Sequence, residues 1–292
     1  MLLLLVFSLL AGCTSTGTDR DSTSRAAIGW PTTAQRSLRI LRNDGFTIGY
    51  DETAGRASWV AYRVTPVAQY RRMPRPDFRQ DPRLDRPASL SAYAGPVYDR
   101  GHLAPNYAIS QLYGVEAQRQ TFYYSNIAPQ RPRLNQLLWQ RLEEIEVDDI
   151  APRVGSLRVF VGPVPGAEGE PPSAFYRIWL ARSPGHDDWQ AMALLVPQRV
   201  RGDERLDAYL VSIDRIEALT GLDFMASLSV AEQRRLEAGV APAARFGFAK
   251  FACQPARYSQ RWRDRDLIRL QYNRCDGPLA GADNNLVDKE LR

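Results

Sequence analysis

The chain has 292 residues, 44% of them hydrophobic, with 38 Lys and Arg against 33 Asp and Glu and a net charge of +5 at pH 7. This is the composition of a globular protein, and it excludes a mainly disordered, collagenous or multi-span membrane protein. Only Lys250 and Lys289 are lysines, so arginine, whose planar fork binds phosphate bidentately, supplies nearly all of the positive charge. The chain has two histidines, too few for a zinc site built from three histidines. His186 lies in a loop-like segment, so His102 is the candidate for histidine-based chemistry.

An apolar run at the N-terminus is typical of an export signal. Residues 2–10 are almost all apolar and lead into the sequence LAGC, which ends at Cys13. About ten apolar residues are too few to span a bilayer but match the core of a secretory signal. LAGC resembles the lipobox of bacterial lipoproteins, which implies acylation of Cys13 and a lipid anchor in the outer membrane; an ordinary signal peptide and a periplasmic location are the alternative. We therefore assign residues 1–13 to a lipoprotein signal peptide and residues 14–38 to a flexible tether and entry segment.

Turn signals and hydrophobic periodicity divide the rest of the chain into strands and helices. The turn signal at 43–45 separates a basic, helix-like stretch from a strand, and the Pro- and Arg-rich segment 66–96 is long enough to suggest a functional loop. Leu134 and the apolar residues that follow it at helical spacing predict a helix over 133–150. Predicted strands cover residues 46–50, 57–64, 122–127, 157–164, 175–180 and 189–196, and shorter helices begin after the capping residues Ser212 and Ser229. Because strands and helices mix without regular βαβ units, we predict an α+β fold around a largely antiparallel central sheet.

Three motifs follow one another within 45 residues: DRGH at 99–102, SNIAPQ at 125–130 and LNQLLWQRLE at 134–143. In this order they resemble the DNA/RNA non-specific endonucleases of the ββα-metal (His-Me finger) superfamily. The resemblance implies a ββα-metal nuclease fold over a domain at 39–245. It also implies a metal-dependent, sugar-non-specific endonuclease that hydrolyses the phosphodiester bonds of DNA and RNA to 5′-phosphate products. The implied cofactor is Mg²⁺, with Mn²⁺ as the alternative, and the family includes homodimers, so the oligomeric state stays open.

Within DRGH, His102 is the candidate general base. A neutral imidazole can remove the proton from an attacking water, and its ordinary pKa near ~6.5 suits neutral pH. Arg100 is expected to reach the scissile phosphate and to offset the charge that builds up on it. The resemblance implies a second arginine upstream; Arg75 is our choice, and Arg72 and Arg79 are the alternatives.

Asn135 and Glu143 form the candidate metal end of the site. A carboxamide oxygen together with several waters suits a hard ion such as Mg²⁺. Eight residues of α-helix separate the two by about 12 Å of rise and about 80° of rotation, too far for both to ligate one ion directly. Because helical side chains lean toward the N-terminus, we predict direct ligation by Asn135 and a water-mediated contact from Glu143, as the resemblance implies. Without the DRGH motif, Asn135 as a helix cap and Glu143 as a solvated surface charge would be an equally good interpretation.

Two further polar residues of these motifs, Asp99 and Asn126, receive supporting roles. We expect Asp99 to orient the loop or His102 through a hydrogen bond. Asn126 either braces the site from its strand or is an ordinary polar residue at a strand end.

Residues 246–292 lie outside the resemblance and form a basic C-terminal extension. Export would place Cys253 and Cys275 in an oxidising compartment, where we expect a disulfide between them. The arginines and aromatic residues that they enclose could bind nucleic acid by stacking and phosphate contact. The interpretation that we prefer is a stapled amphipathic extension that packs on the main domain.

Two other classes of function compete with the nuclease. A lipid-anchored, non-catalytic nucleic-acid-binding protein would use the positive charge, but it has no need of the His102, Asn135 and Glu143 set. A hydrolase with a Ser or Cys nucleophile lacks a Gly-x-Ser-x-Gly elbow here, and lipidation and a disulfide already explain the cysteines. The sequence therefore predicts an exported nuclease of the bacterial cell envelope, with DNA and RNA as substrates.

Overall fold

The computed structural model describes residues 28–71, 73–86, 97–182 and 188–256, and the fold below is that of these residues. The strands are β1 (Arg39–Asn43), β2 (Phe46–Asp51), β3 (Arg56–Val64), β4 (Asp99–His102), β5 (Ile127–Gln130), β6 (Leu157–Val164), β7 (Ala174–Arg182), β8 (Trp189–Pro197) and β9 (Leu210–Val211). The α-helices are α1 (Asn106–Thr121), α2 (Gln140–Ile145), α3 (Ala151–Val154), α4 (Ile213–Thr220) and α5 (Val230–Glu237). Short 3₁₀ helices lie at Tyr124–Asn126, Leu206–Tyr209 and Arg245–Lys250.

A seven-stranded antiparallel sheet in the order β1-β2-β3-β6-β7-β8-β9 forms the centre of the protein. Its central strands are buried on both faces, as β7 shows, where every residue from Ala174 to Ala181 is inaccessible to solvent. The expected antiparallel sheet is confirmed, and the predicted strands at 46–50, 57–64, 157–164, 175–180 and 189–196 agree with the observed ones to within two residues.

The predicted helix at 133–150 is confirmed as a continuous helix over residues 132–154, which we call the long helix. It is not a regular α-helix throughout. Leu134–Trp139 and Glu146–Ile150 are π-helical, and α2 and α3 complete it. The rotation of about 80° between Asn135 and Glu143 was derived for a regular α-helix, so the π-helical turns change that angle.

The two faces of the sheet carry different elements. Trp139 of the long helix packs edge-on against Phe175 of β7, with ring centroids 5.7 Å apart. Phe224, in the segment that joins α4 to α5, packs against the neighbouring residue Tyr176 and against Phe160 of β6. Because successive side chains of a strand point to opposite faces, the long helix and Phe224 lie on opposite sides of the sheet.

Strands β4 and β5 form a two-stranded antiparallel pair that leads directly into the long helix. Residues 103–126, which include α1, connect the two strands, and we call the pair the hairpin. Asp99 pairs with Gln130 and His102 with Ile127 in an antiparallel register. Gln130 ends β5, and the long helix begins two residues later. This β-β-α unit places the DRGH motif within reach of the first turn of the helix.

Two local predictions were wrong. The basic stretch before residue 43 is strand β1 rather than a helix, because Leu41 is buried while its neighbour Ile40 is exposed and the strand pairs with β2 across the turn at Gly45. Residues 122–127 were predicted as a strand, but Phe122 caps α1, Tyr124–Asn126 form a 3₁₀ turn and the strand begins only at Ile127. Helix α1 itself was not predicted.

Both ends of the described chain pack on the sheet and its helices. Ile28 is buried, and Trp30 stacks on Trp59 at 5.7 Å. At the other end the buried guanidinium of Arg141 donates hydrogen bonds to the backbone carbonyls of residues 204, 252 and 254. The start of the C-terminal extension is therefore held against the long helix. Within the described residues, none of the helices combines the length and the apolar character needed to cross a bilayer.

Candidate active site

The imidazole of His102 lies in a small aromatic enclosure. The ring is 8% exposed and contacts Phe122 edge-on at 4.7 Å and Phe78 at 5.5 Å. Burial, and in second place the positive charge of Arg75, lowers the pKa of His102 to about 3. The ring is therefore neutral at physiological pH. Within the described residues, its Nε2 atom has no hydrogen-bond partner, which leaves a lone pair or a proton for a molecule outside the protein.

Asn126 fixes the backbone immediately after His102. Its buried side chain accepts a hydrogen bond from the N–H of Ala104 and donates to the carbonyls of Ala104 and Thr121. The N–H of Leu103 also donates to the Asn126 carbonyl. A polar side chain whose donor and acceptor are both satisfied in the interior holds its partners rigidly, so the position of His102 depends on this residue.

Gly101 has a steric reason to be glycine. A Cβ at this position would lie 2.0 Å from Oε1 and 2.4 Å from Cδ of Gln130, whose side chain is fully buried. The third residue of the first motif and the last residue of the second therefore pack against each other across the hairpin.

Replacing Gly101 with alanine should accordingly strain the hairpin. We expect the free energy of unfolding to fall by about 1–3 kcal/mol, because the buried side chain of Gln130 must shift to make room for the new Cβ. Nuclease activity should fall with it, since His102 is the next residue. The double variant Gly101→Ala/Gln130→Ala should recover most of the lost stability in a denaturant titration. Equal stabilities of the single and double variants would contradict this packing.

Asp99 joins the hairpin to the long helix. Its Oδ2 atom accepts hydrogen bonds from Nδ2 of Asn135 at 2.9 Å and from Nε2 of Gln136 at 2.6 Å. We had expected Asp99 to orient the loop or His102, but its hydrogen bonds run to the helix. Because the amide nitrogen of Asn135 is committed to Asp99, the carbonyl oxygen of the same amide is turned away from this carboxylate and is available as a ligand atom.

The carboxylate of Glu143 borders the buried ion pair of Arg177 and Glu146. Burial raises the pKa of Glu143 to about 8, with the charges of Glu146 and Glu144 adding to the shift and those of Arg177 and Arg75 opposing it. Arg177 lies 3.8 Å from the Glu143 carboxylate and 2.9 Å from that of Glu146. A further positive charge near this carboxylate would stabilise its ionised form.

Sequence reasoning did not identify Arg177 or its surroundings. The guanidinium is completely buried, lies 4.3 Å from the ring centroid of Trp139 and pairs with Glu146, which also accepts hydrogen bonds from Tyr62 and Trp179. An arginine in the middle of the apolar strand AFYRIWLAR was the available signal. Its partner could not be found without knowing which face of the sheet meets the long helix.

The structure distinguishes between two of the upstream arginines. The guanidinium of Arg75 lies 5.4 Å from the ring centroid of Phe122, which packs against His102, and its positive charge acts to lower the pKa of both His102 and Glu143. Arg79 instead lies 4.8 Å over the ring of Tyr123 and hydrogen-bonds to its hydroxyl group.

Arg100 lies over the ring of Phe78, 5.3 Å from its centroid. Phe78 also contacts His102, so Arg100 and His102 share one aromatic neighbour. Four other residues singled out in the sequence, Cys13, Arg72, His186 and Cys275, lie outside the described residues. Cys253 is disulfide-bonded, but its partner lies outside the described residues, so the pairing with Cys275 stays a prediction.

A histidine on a two-stranded hairpin that feeds a helix with Asn135 and Glu143 is the arrangement of a ββα-metal nuclease, and the α+β fold class is confirmed. Residues 22–231 match the sequence model of the DNA/RNA non-specific endonucleases. The chain belongs to this family, and it is an endonuclease.

Individual relatives agree with this membership. The chain is 30% identical over 260 residues to a nuclease of Serratia marcescens, a match that covers 82% of this chain and 95% of the relative. It is 27% identical over 225 residues to human mitochondrial endonuclease G, covering 70% of this chain and 73% of the relative. Among solved structures, the EndoG/EndoGI complex matches with a TM-score of 0.57 at 22% identity, over 68% of this chain and 88% of the other. The last comparison bears on the fold alone.

Proposed function

We propose that the protein is a metal-dependent, sugar-non-specific endonuclease in which His102 is the general base and Asn135 holds a Mg²⁺ ion. The observation that carries the proposal is the placement of two groups at opposite ends of β4. His102 has a buried, neutral imidazole whose Nε2 has no partner among the described residues, and Asp99 hydrogen-bonds to Asn135 of the long helix. A base and an oxygen ligand are thereby connected through one short strand. Family membership supports DNA and RNA as substrates.

The residues present fit a hard divalent ion. Asn135 offers a carbonyl oxygen whose amide nitrogen already donates to Asp99. Glu143 is a largely buried carboxylate whose pKa is raised to about 8 chiefly by burial, so a nearby cation would favour its ionised form. Oxygen ligands and a set completed by water are typical of Mg²⁺, and Mn²⁺ accepts the same ligands. We therefore assign Asn135 as the direct ligand and Glu143 as a ligand through water.

The protein residues have separate tasks in the proposed mechanism. His102 takes the proton of the attacking water at Nε2, for which its neutral form is required. Arg100 and Arg75 contact the phosphate and offset the charge that develops on its oxygens. The bound ion, when present, supplies Lewis-acid stabilisation of the phosphate and of the departing oxygen. Arginine contacts to phosphate carry no base information, which accounts for cutting without sequence preference.

A nuclease assay tests the proposal. Purified protein with Mg²⁺ should degrade both DNA and RNA, and EDTA should stop both reactions. The products should carry 5′-phosphates, as the family resemblance implies, and should therefore be joined by a ligase without prior phosphorylation. Binding of nucleic acid without any cleavage, persisting in EDTA, would instead support the non-catalytic binding protein.

The two arginines allow a matched comparison. Replacing Arg75 with alanine should lower kcat/KM by about 10–10³-fold, because the substrate phosphate loses a preorganised cation. Replacing Arg79 should change it by less than about threefold, since its guanidinium is engaged with Tyr123. Comparable losses in both variants would contradict the choice of Arg75.

We also propose that the protein is exported to the bacterial cell envelope. The apolar run that ends at Cys13 supports export and a lipid anchor at the bacterial envelope, in the outer membrane or, as a soluble form, in the periplasm. A nuclease held there would act on DNA and RNA outside the cytoplasm.

A further inference from the structure

Three carboxylates from α4 and α5 meet away from the candidate active site. Asp214 and Glu217 lie one turn apart on α4, and Glu237 is the last residue of α5. One carboxylate oxygen from each lies within 4.8 Å of the other two. Glu217 also accepts a hydrogen bond from the N–H of Phe224. The cluster therefore borders Phe224, which lies on the face of the sheet opposite the long helix.

The carboxylate of Glu237 belongs to this cluster and is buried. The residue is 5% exposed, and among the described residues its Oε1 atom has no hydrogen bond. It also stands at the C-terminal end of α5, where the helix dipole adds further negative potential. A buried carboxylate in such a position is unfavourable unless a proton or a cation neutralises it.

The surroundings of the cluster add to its negative charge. Burial raises the pKa of Glu217 and of Glu237 to about 7 each. The charged neighbours that contribute, among the residues described, are Asp214, Asp223 and, for Glu237, Glu217, and all of them raise these pKa values. Within the described part of the chain, the contribution that opposes them is the hydrogen bond from the N–H of Phe224 to Glu217, which lowers the pKa of Glu217.

The geometry points to a second cation site: we propose that Asp214, Glu217 and Glu237 together bind a divalent cation of the hard, oxygen-preferring class, Ca²⁺ in the first place. Ca²⁺ ligands lie ~2.3–2.6 Å from the ion, so one ion can contact oxygens that are up to about 5 Å apart. Mg²⁺, with ligands at ~2.1 Å, spans only about 4.2 Å and demands stricter octahedral geometry. The three carboxylate oxygens lie within 4.8 Å of one another, a spacing that one Ca²⁺ ion can accommodate after small side-chain adjustments.

An ion bound at this site would link the end of α5 to α4. It would stabilise the folded protein and would take no part in catalysis. Its ligands come from two helices, and binding to the folded state alone raises the free energy of unfolding. The inference does not depend on the proposed roles of His102 and Asn135.

A calcium titration of the full chain tests the site. The protein is freed of metal, and binding is followed by calorimetry and by the melting temperature at pH 7.5, in the Asn135→Ala background so that the proposed catalytic ion does not contribute. We expect saturable binding and an increase in Tm of roughly 4–8 °C at about a hundredfold excess over Kd.

Three substitutions of the same chemical kind make the result specific. Glu217→Gln and Glu237→Gln should each weaken Ca²⁺ binding by at least about tenfold and abolish most of the Tm increase. The exposed Glu168→Gln, which removes an equal charge elsewhere, should leave both unchanged. Without calcium, the two cluster variants should be at least as stable as the parent, because one repelling carboxylate is gone. Absence of saturable binding, or an unchanged increase in the Gln variants, would overturn the proposal.

Discussion

Replacing His102 with alanine should lower kcat/KM on both DNA and RNA by about 10³-fold or more, because the attacking water loses its proton acceptor. In free energy this is about 4 kcal/mol of transition-state stabilisation. The variant should still fold, since the lost imidazole packs on Phe78 and Phe122 at the edge of the core and has no partner for Nε2 among the described residues.

The other histidine provides the control. His186→Ala should retain full activity, because the sequence gives this residue no place in the motifs. The melting temperature of each variant separates loss of chemistry from loss of fold. Cleavage by His102→Ala at the rate of the parent protein would show that another group is the base.

Replacing Asn135 with alanine should weaken Mg²⁺ binding by at least about tenfold and lower turnover by roughly 10²–10⁴-fold at fixed metal concentration. Two losses coincide in this variant: the ligand oxygen disappears, and Asp99 loses one of its two hydrogen bonds to the helix. Calorimetry with Mg²⁺ measures the loss of affinity, and a metal titration of activity measures the loss of turnover.

Gln136 separates the two contributions. Its amide donates to the same Asp99 oxygen but is not a proposed ligand. Gln136→Ala should therefore loosen the hairpin without removing the ligand, and its effect on Mg²⁺ affinity should be much smaller than that of Asn135→Ala. Equal losses of affinity in the two variants would mean that Asn135 acts only by positioning Asp99.

The elements with strong local patterns were predictable from the sequence. Leucines at helical spacing after residue 134 identified the long helix, and the capping residues Ser212 and Ser229 identified α4 and α5, where Ser229 and Glu232 form the expected capping box. Strand β1 was misread because its arginines gave it a helix-like composition, whereas pairing with β2 decides its conformation. The π-helical turns around Asn135 have no sequence signature that we could have used.

For the site, the motifs named the residues but not their contacts. The sequence singled out Asp99 and Asn135 separately, and only the fold brings Asp99 to Asn135 and Gln136. The buried pair of Arg177 and Glu146 depends on how β7 meets the long helix, which is a tertiary relationship. The cluster of Asp214, Glu217 and Glu237 likewise joins two helices that are separated along the chain.

The central claim is that His102 and an ion held by Asn135 belong to one site, and anomalous diffraction from crystals soaked in Mn²⁺ tests it most directly. The account predicts a manganese peak within about 2.3 Å of the Asn135 side-chain oxygen, on the side that faces Nε2 of His102, and its disappearance in crystals of Asn135→Ala. A fully occupied manganese site remote from residue 135, with none beside it, would contradict the account.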